Sequence, residues 1–164
     1  MRVDRAARTA ERERLRARYL TEPAARPPSI ARGVHHVALM CTDVERTIRF
    51  YSELLGFPLV EIFENRDYQG STHLFFDIGQ DNSLAFFDFP GLDLGPYAEV
   101  IGGLHHLAIS VEQTQWDAAR RRLEEAGVPT HTDSEVSLYF SDPDGVRLEL
   151  IAEQLGSLYG TPLH

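Results

Sequence analysis

One cysteine, Cys41, stands in a chain of 164 residues, so no internal disulfide framework is available. It closes an apolar stretch and has no base motif beside it, which favours packing over nucleophilic chemistry. No apolar run approaches the ~18 residues needed to cross a bilayer. The start of the chain also lacks the basic, apolar and small-residue succession of a secretory signal. These absences predict a cytoplasmic protein without a membrane partner. Lysine is missing altogether, and arginine carries all of the fixed positive charge.

That charge is unevenly placed. Residues 1–32 hold nine Arg against four acids, whereas the remainder holds seven Arg against twenty-one acids, for a net charge of −9. Residues 1–20 predict a helix with Leu15 and Leu20 among its few apolar residues, and Pro23, Pro27 and Pro28 break it. Glu11 and Glu13 interrupt the basic run and stacking aromatics are nearly absent, so nucleic acid is not the expected partner. An arm opposite in sign to its body more simply packs on that body or on a partner subunit. The acidic body itself argues against coating phosphates.

The most informative feature present is a repeat. Gly33-Val34-His35-His36-Val37-Ala38-Leu39 and Gly103-Leu104-His105-His106-Leu107-Ala108-Ile109 are near copies, each with the alternation of a half-buried strand. After each comes a helical pattern. In the first half Val44, Ile48, Tyr51, Leu54 and Leu55 recur at helical spacing, with Thr42 or Asp43 as cap and Gly56 as stop. Strand candidates follow at 59–63, 72–78 and 83–89. The second half repeats the order with a strand at 104–111, a helix at 114–126, and strands at 128–131, 136–140 and 146–152. The chain therefore divides into a basic helical arm and Pro-rich linker (1–32), a single domain (33–152) and a tail (153–164). Within the domain, modules 33–89 and 103–152 flank a Gly/Pro-rich joint at 90–102.

Alternation assigns faces. His36, Ala38 and Met40 share one face; His106, Ala108 and Ser110 share the equivalent face; the intervening aliphatics belong against the helices. Arg147, Glu149 and Ile151 share a face of the last strand, so Glu149 points the same way as the two imidazoles. An acid within an apolar strand is costly to bury unless paired or metal-bound. Two His and one carboxylate form a recurrent divalent-metal set with open positions, and His36, His106 and Glu149 are the expected ligands. His35 and His105, at the strand starts, are expected to support them.

These strands, together with Phe50-Tyr51-Ser52-Glu53-Leu54-Leu55-Gly56-Phe57 and Tyr139-Phe140-Ser141-Asp142-Pro143-Asp144-Gly145-Val146-Arg147-Leu148-Glu149, resemble the vicinal oxygen chelate superfamily. That group includes glyoxalases, bleomycin-resistance proteins, methylmalonyl-CoA epimerases and extradiol dioxygenases. The resemblance covers residues 33–152 and implies an α+β fold in which two βαβββ modules form a cupped mixed sheet around a divalent metal.

The remaining cup residues bear on the reaction. Glyoxalase and epimerase patterns usually take a fourth ligand from the last strand of the first module, where Ala85 or Phe87 stands here and Asp88 falls on the opposite face. The segment from His131 through Tyr139 and Asp142-Pro143 to Glu149 is similar to the extradiol ring-cleavage signature, with Pro129 as its one departure. By that resemblance His131 and Tyr139 hydrogen-bond the substrate, and Tyr139, Asn82 and Phe87 line its site. Asn82 occupies the place of the usual acid–base His and cannot shuttle a proton at neutral pH, so either His73 or His131 takes that role or the reaction is a different one. The Asp142–Gly145 stretch reads as a tight turn without chemistry. Phe75, Phe76, Phe86, Phe87 and Phe89 form a core first, and those facing the cup make it apolar.

The expected activity is that of a non-haem metal-dependent dioxygenase. It would use Fe(II), with Mn, Zn, Ni or Co compatible, and its partners would be a small substrate with vicinal oxygens and dioxygen. A metal-dependent lyase, isomerase or epimerase is the alternative, followed by a non-catalytic drug-binding protein. A homo-oligomer is compatible with two open cups.

Overall fold

A computed structural model describes residues 3–163. Its first helix, α1 (Arg5–Tyr19), begins at Asp4, whose carboxylate accepts from the Ala7 amide, and Arg16 and Arg18 complement its C-terminal dipole. No residue of α1 is buried, and Tyr19 and Leu20 are exposed. The arm is tied to the body instead through its linker, where Arg26 donates to the Leu163 carbonyl at 2.6 Å.

The first module runs β1 (His36–Met40), α2 (Val44–Ile48), a continuing π-helical segment (Arg49–Leu55), β2 (Leu59–Glu64), β3 (Thr72–Asp77) and β4 (Ser83–Phe87). Asp43 is the cap, accepting from the Arg46 amide. Gly56 terminates the helix at φ +85°, a left-handed conformation that a side chain would strain. The second module repeats the plan with β5 (Leu107–Ser110), α3 (Gln113–Glu125), β6 (His131–Thr132), β7 (Ser137–Ser141) and β8 (Arg147–Ile151). A short hairpin of β9 (Ser157–Leu158) and β10 (Thr161–Pro162) follows.

Each module closes its own four-stranded mixed sheet. The orders are β1-β4-β3-β2 and β5-β8-β7-β6, and in both the first and last strands of the module lie parallel at the centre or edge while the remaining pairs are antiparallel. Leu74, Phe76, Leu84 and Phe86 of the first sheet and Leu138, Phe140, Leu148 and Leu150 of the second face the helices. With Tyr51, Trp116 and Leu123 they make one continuous core shared by both modules. The opposite sheet faces, which carry the histidines, lie outside that core.

Polar contacts lock the modules together. Arg122 of α3 donates to the Leu54 and Leu55 carbonyls at 2.6 and 3.2 Å, satisfying the orphan end of the first module's helix. An Arg122→Ala change strands those carbonyls and is expected to cost about 1–3 kcal/mol, read as a lower midpoint in urea unfolding. The turn after β7 contributes more than the tight bend expected of it. Asp142 accepts from the Tyr51 hydroxyl at 3.0 Å, and Asp144 accepts from the Thr42 amide and pairs with Arg46 at 2.8 Å. Asp142 thus holds its own turn, through the Asp144 and Val146 amides, and the neighbouring module at once.

Candidate metal centre

In the second sheet the register sets Ala108, Glu149, Tyr139 and His131 side by side in one row. Glu149 is only 5% exposed, so its carboxylate needs partners. His106 supplies one, with Nε2 at 3.2 Å from Oε2, and the Ser137 hydroxyl donates to Oε1 at 2.6 Å. The Nδ1 of His106 meets Nδ1 of His105 at 2.7 Å, which fixes the ring and leaves Nε2 as the atom turned toward the acid. An imidazole nitrogen and a carboxylate oxygen held this way from behind suit two donors of a divalent ion.

Tyr139 walls this pair, its ring edge-on to His106 at 5.7 Å. Desolvation first, and the neighbouring Glu149 second, push its phenol up to about 12, so it is a hydrogen-bond donor at neutral pH rather than a base. His131, across the strand pair from Tyr139, is well exposed and bound through Nε2 to Asp133 at 2.6 Å.

The first sheet presents the related row Ala38, Ala85, Phe75 and Glu61. Because Ala38 pairs with Ala85 as Ala108 pairs with Glu149, Ala85 and not Phe87 is the counterpart of the acid. Asp88 is unavailable: its carboxylate accepts from the Thr72 amide. The next row on this face holds Met40, Phe87, His73 and Phe63. His73 stacks on Phe87 with ring centroids 3.8 Å apart and lies against Phe63 and Phe75. Its Nε2 is buried without a hydrogen-bond partner, and desolvation, helped by His36 and Arg66, lowers its pKa.

His36 mirrors His106 in having its Nδ1 2.8 Å from that of His35. Its surroundings are those of the first sheet, including Phe75 at a ring separation of 6.2 Å. Among the described residues no three potential ligands converge within the chain. The structure therefore joins His106 with Glu149 and Tyr139, and places His36, His73 and Phe87 on the other module. Asn82 is occupied elsewhere, its amide donating to the Gly79 and Gln80 carbonyls of the β3–β4 turn. Cys41 is buried and pushed up to about 11 by that burial, so it stays a packed thiol. Ser137 is the site residue that sequence reasoning passed over; its alternation with Tyr139 on β7 was the available signal.

The family model described as "Glyoxalase/Bleomycin resistance protein/Dioxygenase superfamily" matches residues 33–150. Among curated proteins, the chain is 29% identical over 143 residues to the putative ring-cleaving dioxygenase MhqA of Bacillus subtilis, covering 80% of this chain and 43% of that protein. The chain thus spans less than half the length of this relative. It is 30% identical over 128 residues to a lactoylglutathione lyase of Escherichia coli O157:H7, covering 73% and 91% of the two chains. A crystal structure of a glyoxylase/bleomycin resistance protein/dioxygenase domain from Frankia superposes with a TM-score of 0.65 at 26% identity, over 77% of this chain and 100% of the other.

Proposed function

The chain belongs to the glyoxalase/bleomycin resistance protein/dioxygenase superfamily, and we propose that it is a metal-dependent enzyme acting on adjacent oxygens of a small, flat substrate, with ring-cleaving dioxygenation as the reaction. The observation that carries this reading is the strand register that sets Ala85 opposite the role of Glu149. That register supports a reading in which His36, His106 and Glu149 are the ligands and β4 contributes no fourth donor. Such a set suits Fe(II) first, with Mn, Zn, Ni or Co compatible, and leaves room for a bidentate substrate and one further small molecule. When bound, the metal supplies Lewis acidity and, if iron, electron transfer to dioxygen.

The chain's own residues do the rest. Ser137 and His105 hold Glu149 and His106 in place. Tyr139 donates a hydrogen bond to a substrate oxygen. Phe63, Phe75 and Phe87 exclude water and stack on a ring, and His73 or His131 carries the proton. Asn82 has no part in this scheme, its amide being spent within its turn.

The ligands would meet between two copies of the chain. His36 lies on the outer face of one module and the His106–Glu149 pair on that of the other, while their helix-covered faces share one core. Met40 and Phe63, at 55% and 40% exposure on the His36 face, are apolar surface that a second copy would cover. A twofold pair could then set the first module of each copy against the second module of its partner. His36→Ala and His106→Ala proteins should each lack metal. Refolded together, they should regain about one metal per four chains, because half of random dimers pair unlike copies and each such dimer has one intact site. No recovery would mean that the ligands come from a single chain.

The reaction itself is tested by anaerobic Fe(II) loading followed by catechol and oxygen. Oxygen uptake that depends on catechol is the expected result. Solvent deuterium exchange without oxygen uptake would favour the second reading, a lyase or isomerase, to which the 30% identity with a lactoylglutathione lyase lends weight.

A further inference from the structure

Tyr139, which walls the His106–Glu149 pair, also lines a cleft of about 550 Å³ whose other walls include His105, His131, Ser141 and Arg147. Arg147 is the one arginine on its wall among the described residues. It stands two residues from Glu149 on the same face of β8, in the row of Ser141. Its guanidinium holds two partners: one terminal nitrogen is 2.7 Å from Glu99 Oε1 and the other 3.2 Å from His105 Nε2. Glu99 comes from the joint at 90–102, most of which is exposed, and both members of the pair are about two-fifths exposed. The other acid at the cleft, Asp133, is met by His131.

We infer that Arg147 is a specificity residue which binds a carboxylate of the substrate, and that Glu99 occupies its place in the free protein. The planar fork of arginine suits a carboxylate, and Glu99 already places one carboxylate oxygen on one of its terminal nitrogens. An exposed pair of this kind is weak, so an incoming carboxylate can replace it. The surrounding body is strongly acidic, so this arginine offers an anionic molecule a local point of attraction in a field that otherwise repels it. Tyr139 borders both the cleft and His106, and a molecule anchored on Arg147 would extend past the phenol toward Glu149. The substrate class is therefore a small carboxylate whose other end bears the reacting oxygens. This inference rests on the reading of the His106–Glu149 face as the reacting centre.

Benzoate, which has no vicinal oxygens to chelate a metal, is the probe, and the metal-free 164-residue chain is the sample. Titration followed by arginine Nε–H resonances in proton–nitrogen spectra should show a saturable shift of Arg147 with benzoate and none with benzamide. Arg147→Gln should abolish binding. Glu99→Gln, which removes the competing carboxylate, should tighten it by about two- to fivefold, the range of an exposed ion pair. A merely structural Arg147–Glu99 contact would give no such gain. Equal responses to benzoate and benzamide, or unchanged benzoate affinity in Glu99→Gln, would overturn the inference. Metal content is measured separately, so failure of benzoate binding leaves the metal-centre reading standing, and failure of metal binding leaves the carboxylate site to be judged on its own data.

Discussion

Alanine in place of His106 should lower divalent-metal affinity by at least about 100-fold, the upper end of what losing only the hydrogen-bond partner behind a ligand costs. The structure makes this a clean substitution. His106 lies just before β5 with its side chain about a third exposed, outside the shared core, so its removal opens no cavity among the packed side chains. Glu149 keeps the Ser137 hydroxyl as a partner and can reach solvent through the space vacated. Metal bound per chain after reconstitution and desalting is the measurement, with circular dichroism to show that the fold persists. Metal retained at the wild-type level by a folded His106→Ala protein would refute the ligand assignment.

Asp142→Ala should cost about 3 kcal/mol of stability, because buried donors left unmet cost about 1–3 kcal/mol each and relax only in part. The donors are the Tyr51 hydroxyl and the amides of Asp144 and Val146. Asp142→Asn retains an acceptor and should cost less. The two changes also separate charge from hydrogen bonding. Burial raises the Asp142 pKa despite its three donors, so the folded protein holds this proton more tightly than the unfolded chain does. The stabilisation linked to that shift is therefore fully present below the unfolded pKa and is lost as pH rises through the folded one. The stability gap between wild type and Asp142→Asn should accordingly be wider near about pH 4 than at neutral pH, as measured by urea unfolding. A gap that widened toward neutral pH would reverse the sign assigned to this group.

Much of the candidate site was legible because strand alternation is local. The period of two puts His106 and Glu149 on one face as soon as both segments are read as strands, and the structure brings their side chains within 3.2 Å. The paired histidines read as a candidate donor and its support, and in both modules the structure sets their Nδ1 atoms against each other. What alternation could not decide was whether Ala85 or Phe87 matches Glu149. Both share a face, and only the pairing of β1 with β4, strands separated by the rest of the module, selects Ala85. Asn82 and Ser137 show the same limit. The amide of Asn82 is consumed by a turn whose geometry a residue list does not reveal, while Ser137 reaches Glu149 only through the β7–β8 register.

The two βαβββ modules, the basic arm set apart from an acidic body, and the face on which each candidate ligand stands can all be read along the chain. These follow from periodicity, turn residues and helix caps, which act over a few neighbours along the chain. Tertiary structure alone decided how the modules are joined. The turn aspartates, read only as a bend, became a latch to the other module, and the two helix-covered faces merged into one core that leaves His36 on one outer face and His106 with Glu149 on another. Burial of apolar surface is non-directional and long-ranged in sequence, so a pattern can say which faces must be covered but not what will cover them.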